Sequence, residues 1–120
     1  MQTTESKWDE TIIVDVMHFR EFTAGDRSLE REILQIFLEH VPHYIDVLKA
    51  IETDNWRAMA HKLKGAARSI GAWELACEAE RAEEMDIAPA VGGADREKLI
   101  SELERRFVRV NDYIKQNLMA

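Results

Sequence analysis

The chain has little in it that breaks or cross-links a backbone: of 120 residues, one is cysteine, two are proline and five are glycine. The single thiol, Cys77, allows no internal disulfide, and such usage fits a reducing compartment, so the cytoplasm is the expected location. Scarce proline and glycine leave long stretches in which helices can run uninterrupted. Strand signals are nearly absent, since only Thr11-Ile12-Ile13-Val14 is β-branched over consecutive positions. No apolar run approaches the ~20 residues of a membrane span, and no charged start with an apolar core marks a secretion signal. Basic residues are the minority, 16 against 23 acidic ones, which gives a net charge of −7. Phosphate backbones require the opposite field, which argues against nucleic acid as a partner.

What is present suits one compact helical domain. A 46% hydrophobic content can supply one core, and 32% charged residues can cover it. Residues 1–10 are polar and expected to be flexible, with Trp8 available to dock; the domain is expected over residues 11–120. Asp15 is placed to cap a short helix over residues 16–23, which Gly25 would end in the left-handed conformation. Asp26 or Ser28 then caps a long helix to about residue 51. Its seam is Leu34, Phe37, Val41, Tyr44, Leu48 and Ile51, and Pro42 is predicted to kink it without breaking register. Asp54 is the predicted cap of a third helix, which stops near Ile70-Gly71. The fourth helix turns mostly small residues inward, Ala72, Leu75, Ala76, Ala79 and Ala82, and so should lie close against the third. A loop over residues 87–95 precedes a last helix, about residues 96–118, with Ile100, Leu103, Phe107, Val110 and Ile114 inward. Four long amphipathic helices on mostly short links predict an all-α, antiparallel up-down four-helix bundle with a short additional N-terminal helix.

The third helix carries the chemistry. Trp56, Met59, Ala60, Leu63, Ala67 and Ile70 form its apolar stripe, and His61 lies roughly 160° from Leu63 on the helical wheel. His61 is therefore expected in solvent, with Lys64, Gly65 and Arg68 on its side. An exposed mid-helix Gly costs ~1 kcal/mol against Ala, so Gly65, one turn from His61, marks room for a partner. Arg57, Lys62, Lys64 and Arg68 make a local basic patch on an acidic chain. A neutral imidazole is a nitrogen nucleophile near neutral pH, and Lys64 can meet phosphoryl oxygens as a point charge. If the third and fourth helices are antiparallel, Glu83 falls level with His61. A carboxylate there can hold one ring N–H and leave the other nitrogen as nucleophile. His40 and His43, one turn apart beside Glu39, lack a third metal ligand and read as surface histidines. Cys77 reads as packing, and Gly92-Gly93 as loop punctuation.

His61-x-Leu63-Lys64-Gly65-Ala66-Ala67-x-x-Ile70-Gly71-Ala72 resembles the signature of the histidine-containing phosphotransfer (HPt) domain. Leu75 and the Ala82-Glu83 pair continue the pattern, with Ala82 where a larger apolar residue is common and Glu83 where some members carry Gln. The likeness covers about residue 14 to the C-terminus. It implies a monomeric phosphocarrier of multistep phosphorelays, without ATP-dependent kinase activity of its own. Such a domain accepts a phosphoryl group onto His61 from a receiver-domain aspartyl phosphate and passes it to another receiver. The implied site is His61, Lys64, Gly65 and Glu83, and the implied partners are response-regulator receiver domains or a hybrid histidine kinase. No cofactor is implied, because the Mg²⁺ of these relays belongs to the receiver. The neighbourhood of Met17, Phe19, Phe22 and the outer face of the second helix is the expected docking surface. The phosphoacceptor domain of a histidine kinase fits less well, since it usually has an acidic residue after the His and a nearby Pro. Here Lys62 follows, and the next proline is Pro89. The remaining rival is a non-catalytic helical-bundle module that docks a partner through the His61 face.

Overall fold

The Asp15 carboxylate accepts a hydrogen bond from the His18 amide at 3.1 Å and so starts α1, Val16–Thr23. This computed structural model describes residues 8–50, 55–85 and 93–119. Beyond α1 it contains α2 (Arg27–Ala50), α3 (Trp56–Ser69), α4 (Trp73–Met85) and α5 (Ala94–Tyr113), which runs on into a π-helical turn at Ile114–Leu118. Among the described residues the protein is all-helical, and the β-branched stretch 11–14 forms no strand. No helix among them is long and apolar enough to cross a membrane.

Two helix ends differ from expectation, and a third selects between the two expected caps. The left-handed step after α1 begins at Ala24 (φ 55°), one residue before Gly25 (φ 79°), and both amides reach the Arg20 carbonyl. Asp26 caps α2 by accepting from the Leu29 amide at 3.0 Å, while Ser28 lies inside the helix. α5 starts at Ala94 instead of residue 96. The expected Asp54 cap, the seam position of Ile51 and residues 87–92 of the expected loop lie outside the described residues.

Along α2, Leu34, Phe37, Val41 and Leu48 are buried as the pattern predicts, and the helix continues through Pro42. Ile45 takes the inward place expected for Tyr44, which is half-buried. On a wheel of 100° per residue, position 45 lies nearer the centre of this stripe than position 44. Tyr44 is left at the edge that faces α3. α1 rests on α2, with Phe19 fully buried and Met17 and Phe22 exposed. Burying one Phe contributes about 2–3 kcal/mol, enough to hold so short a helix in place.

α2 packs on α3, α3 on α4, α4 on α5, and α5 on α2. The α3–α4 pair is close because Ala60, Ala67, Ala72, Ala76, Ala79 and Ala82 are all buried. The Trp56 indole donates to the Ala82 carbonyl at 2.7 Å across it. On α5, Leu99, Ile100, Leu103 and Val110 are buried and Phe107 half-buried, and Ile114 in the turn that follows is buried too.

Gly71 ties the two ends of this hairpin together. The Ala72 amide reaches the Ala67 carbonyl at 2.9 Å and the Gly71 amide that of Arg68 at 3.1 Å, closing α3 with Gly71 at φ 76°. The Asp15 amide donates to the Gly71 carbonyl at 2.8 Å, and a Cβ on residue 71 would stand 2.8 Å from the Asp15 carbonyl oxygen. One glycine thus ends α3 and seats the start of α1.

Residues 8–15 run as a strap over α4 and α5. Trp8 stacks on Trp73, and the buried Cys77 thiol donates to the Trp8 carbonyl at 3.9 Å. The Ile12 carbonyl accepts from the Glu74 amide at 2.9 Å. Glu10 pairs with Arg81 and with Arg106.

Candidate functional site

His61 stands on the outward side of α3 because Ala60, Leu63 and Ala67 take the inward side, each fully buried. Its side chain is 66% exposed, against 14% for Glu83 and 16% for Lys64. Glu83 comes up from α4 at the same level and is bridged by two donors. His61 Nδ1 lies 2.8 Å from one carboxylate oxygen, and Lys64 Nζ lies 2.6 Å from the other. Burial alone would push the Glu83 carboxyl up, but the hydrogen bonds from Lys64 and His61 outweigh it and hold the group below its ordinary value. An ionised carboxylate only accepts, so the shared hydrogen sits on Nδ1. The lone pair of the neutral ring is then on Nε2, which has no hydrogen-bond partner among the described residues.

Three of the four candidate residues are thereby brought into one network. Lys64 does not stand free to meet an anion, as the motif alone suggests; its ammonium is committed to Glu83. That pairing offsets the charge that a glutamate places beside the imidazole. Gly65, the fourth, is exposed, and a Cβ built there would meet nothing within 4 Å. Its own fold therefore has no steric need of a glycine at that position.

Beside the imidazole, α2 and α3 enclose a groove of about 480 Å³. Ile33, Ile36, Phe37, His40 and Tyr44 line it from α2, and His61, Lys62, Gly65, Ala66 and Ser69 from α3. Ile36 is 47% exposed, an unusual place for so large an apolar side chain. The outer face of α2 thus lies beside the imidazole. Phe19, expected with it, is instead a core residue. His40 and His43 both lie against the Tyr44 ring, with centroids 6.1 and 6.3 Å away. Among the described residues no three His, Cys, Asp or Glu side chains gather in a way that could hold a metal.

An exposed imidazole with Nδ1 anchored on a carboxylate and Nε2 without a partner among the described residues has the geometry of an available nitrogen nucleophile. The model of the Hpt domain family matches residues 32–114, more than half of the chain, and the chain belongs to that family. It is therefore a phosphotransfer module of two-component signalling, a class whose members interact with receiver domains and histidine kinases. Neither the curated proteins nor the solved structures contain a significant match to the chain.

Proposed function

We infer that the protein is the phosphohistidine carrier of a multistep phosphorelay, an antiparallel four-helix bundle that works as a cytoplasmic monomer between two receiver domains. One observation supports this reading: an exposed His61 whose Nδ1–H is held by Glu83 while Nε2 has no partner among the described residues. Nε2 attacks the phosphorus of a receiver's aspartyl phosphate; the N–P bond forms as the P–O bond to the aspartate breaks, and the carboxylate leaves with the electron pair. The ring keeps its Nδ1 hydrogen and becomes cationic, and the Glu83 carboxylate balances that charge at 2.8 Å. The reverse attack by a second receiver's aspartate discharges it. Any Mg²⁺ required belongs to the receiver.

Gly65 supports the same reading, because open space over it lets a partner's acidic pocket reach the imidazole. The groove lined by Ile36 and Tyr44 supplies apolar area for docking. Lys64 takes a positioning role through Glu83, and it can turn to the phosphoryl oxygens once the network opens.

The test is transfer from receiver domains charged with acetyl phosphate. Wild type should acquire acid-labile, base-stable phosphate, and His61→Gln should acquire none, a loss of at least about 10³-fold, as when a nucleophile is removed. Retained transfer in His61→Gln sinks the assignment of the residue. A wild type that binds a receiver but accepts nothing leaves the interaction-only module as the better account.

A further inference from the structure

Gly65 and Ser69 line two depressions at once. One is the groove toward α2; the other, about 390 Å³, is walled by Trp8, His18, Arg68 and Trp73. These four side chains come from the strap, α1, α3 and α4, and interlock. Trp8 stacks on Trp73 with ring centroids 5.6 Å apart, and the Arg68 guanidinium lies over the Trp8 ring at 5.5 Å. His18 meets Trp73 edge-on at 4.8 Å and donates from Nε2 to the Arg68 carbonyl at 3.2 Å. A guanidinium over an indole face is attracted to the ring, which restricts it more than a surface arginine in water. Arg68 also has no carboxylate partner among the described residues, whereas Arg81, Arg105, Arg106 and Arg109 each have at least one. Trp8 and His18 lie outside the stretch that matches the family, residues 32–114.

We propose that this pocket is a second docking point for the receiver domain. It takes a carboxylate-bearing side chain from the rim of the receiver's acidic phosphoacceptor site, and Arg68, oriented by Trp8, helps to select which receiver is served. The proposal rests on the reading of His61 as a phosphoryl carrier. Two arguments lead to it. The pocket is continuous with the His61 groove through Gly65 and Ser69, so a partner that closes over the imidazole extends across it. The charges are complementary: a guanidinium can bind a carboxylate in bidentate fashion, and one already drawn over an indole has less ordering left to do on binding. Charges at the edge of an interface act on encounter and partner choice more than on the chemical step.

Receiver domains charged with acetyl phosphate serve as the probe, each titrated against the full chain while the initial transfer rate is read. Arg68→Glu should raise the half-saturating receiver concentration about tenfold or more, with a much smaller change in the saturating rate. The difference should shrink as salt is raised, because screening weakens the attraction. Arg68→Lys, which keeps the charge and loses the fork, should fall between. Trp8→Ala, with helix content checked by circular dichroism, should weaken half-saturation in the same direction. Equal half-saturation for wild type and Arg68→Glu with every receiver that transfers overturns the proposal, and so does a loss confined to the saturating rate. Both of those outcomes leave His61 phosphorylation intact. A wild type that no receiver phosphorylates overturns the carrier reading and this proposal together.

Discussion

On the strap side of the molecule, Glu10 bridges Arg81 and Arg106, Glu78 meets the same two arginines, and Glu102 meets Arg105 and Arg106. Elsewhere on α4, Glu83 is bridged by Lys64 and His61. The two clusters use the same kinds of group at similar distances. They differ in where the network ends. The strap cluster closes on itself: Arg106 is 13% exposed and also donates to the Glu74 carbonyl at 2.7 Å. The Glu83 cluster ends in an imidazole that is 66% exposed, with one nitrogen unengaged among the described residues. A saturated network holds structure in place, whereas a network with one open atom leaves that atom available.

The sharpest way to break this comparison is to remove the centre of the saturated cluster. Arg106→Ala leaves Glu10, Glu78 and Glu102 facing one another with fewer cations between them. A cost of about 2–3 kcal/mol is expected, below that of a fully buried pair because Glu10 and Glu102 reach solvent. Urea unfolding measures it. Phosphotransfer at a temperature where the variant is folded should be nearly normal. A stable Arg106→Ala protein with impaired transfer would mean that the strap cluster belongs to the active surface.

Acid provides a second, gentler disturbance of the same cluster. Hydrogen bonding from Arg81 holds the Glu10 carboxyl down at about 2, and hydrogen bonds from Arg105 and then Arg106 hold Glu102 at about 2, against an ordinary value of 4.5. Both folded values lie below the unfolded one. Their contribution is therefore complete above about 4.5 and is lost as pH falls toward 2. The stacked Trp8–Trp73 pair should give a near-ultraviolet circular dichroism signal for the strap. That signal should hold from neutral pH to about 4.5 and decay only below it. Decay at a higher pH would show that these ion pairs are not what fastens the strap.

The two regions were unequally legible in the sequence. The outward place of His61 follows from a local period, because Leu63 and its neighbours define the inward side within a few turns. The seams of α2 and α5 were readable for the same reason, and where the reading slipped, at Tyr44 and Ile45, both positions fit a three-four spacing. The Trp8, His18, Arg68 and Trp73 pocket has no such period. Its contacts join residues 50 or more apart in sequence, and only the fold brings them together. Glu83 could be placed level with His61 by counting along a hairpin, but its second bond, to Lys64, could not. A lysine one turn from a histidine reads equally well as a free cation.

Glu83→Gln makes the smallest change and separates geometry from charge at the open cluster. A glutamine carbonyl can still accept from His61 Nδ1–H, so the ring keeps its orientation and Nε2 its lone pair. Its amide nitrogen is a donor, and facing Lys64 Nζ it cannot replace the present 2.6 Å bond. Lys64 is released toward the phosphoryl oxygens, which favours transfer, while the cationic phospho-ring loses the carboxylate that balances it. These effects oppose each other, so the transfer rate should change by less than about tenfold, the low end of what losing an orienting partner costs. Stability should change by no more than about 1 kcal/mol, since one end of the network already lies in solvent. Glu83→Ala removes the acceptor as well, and should be the slower of the two, with loss of the fixed Nδ1–H tautomer visible by nitrogen NMR of the imidazole. If Glu83→Gln unfolds as readily as Arg106→Ala, the two clusters are alike in kind, and the open nitrogen of His61 is incidental to how Glu83 is held.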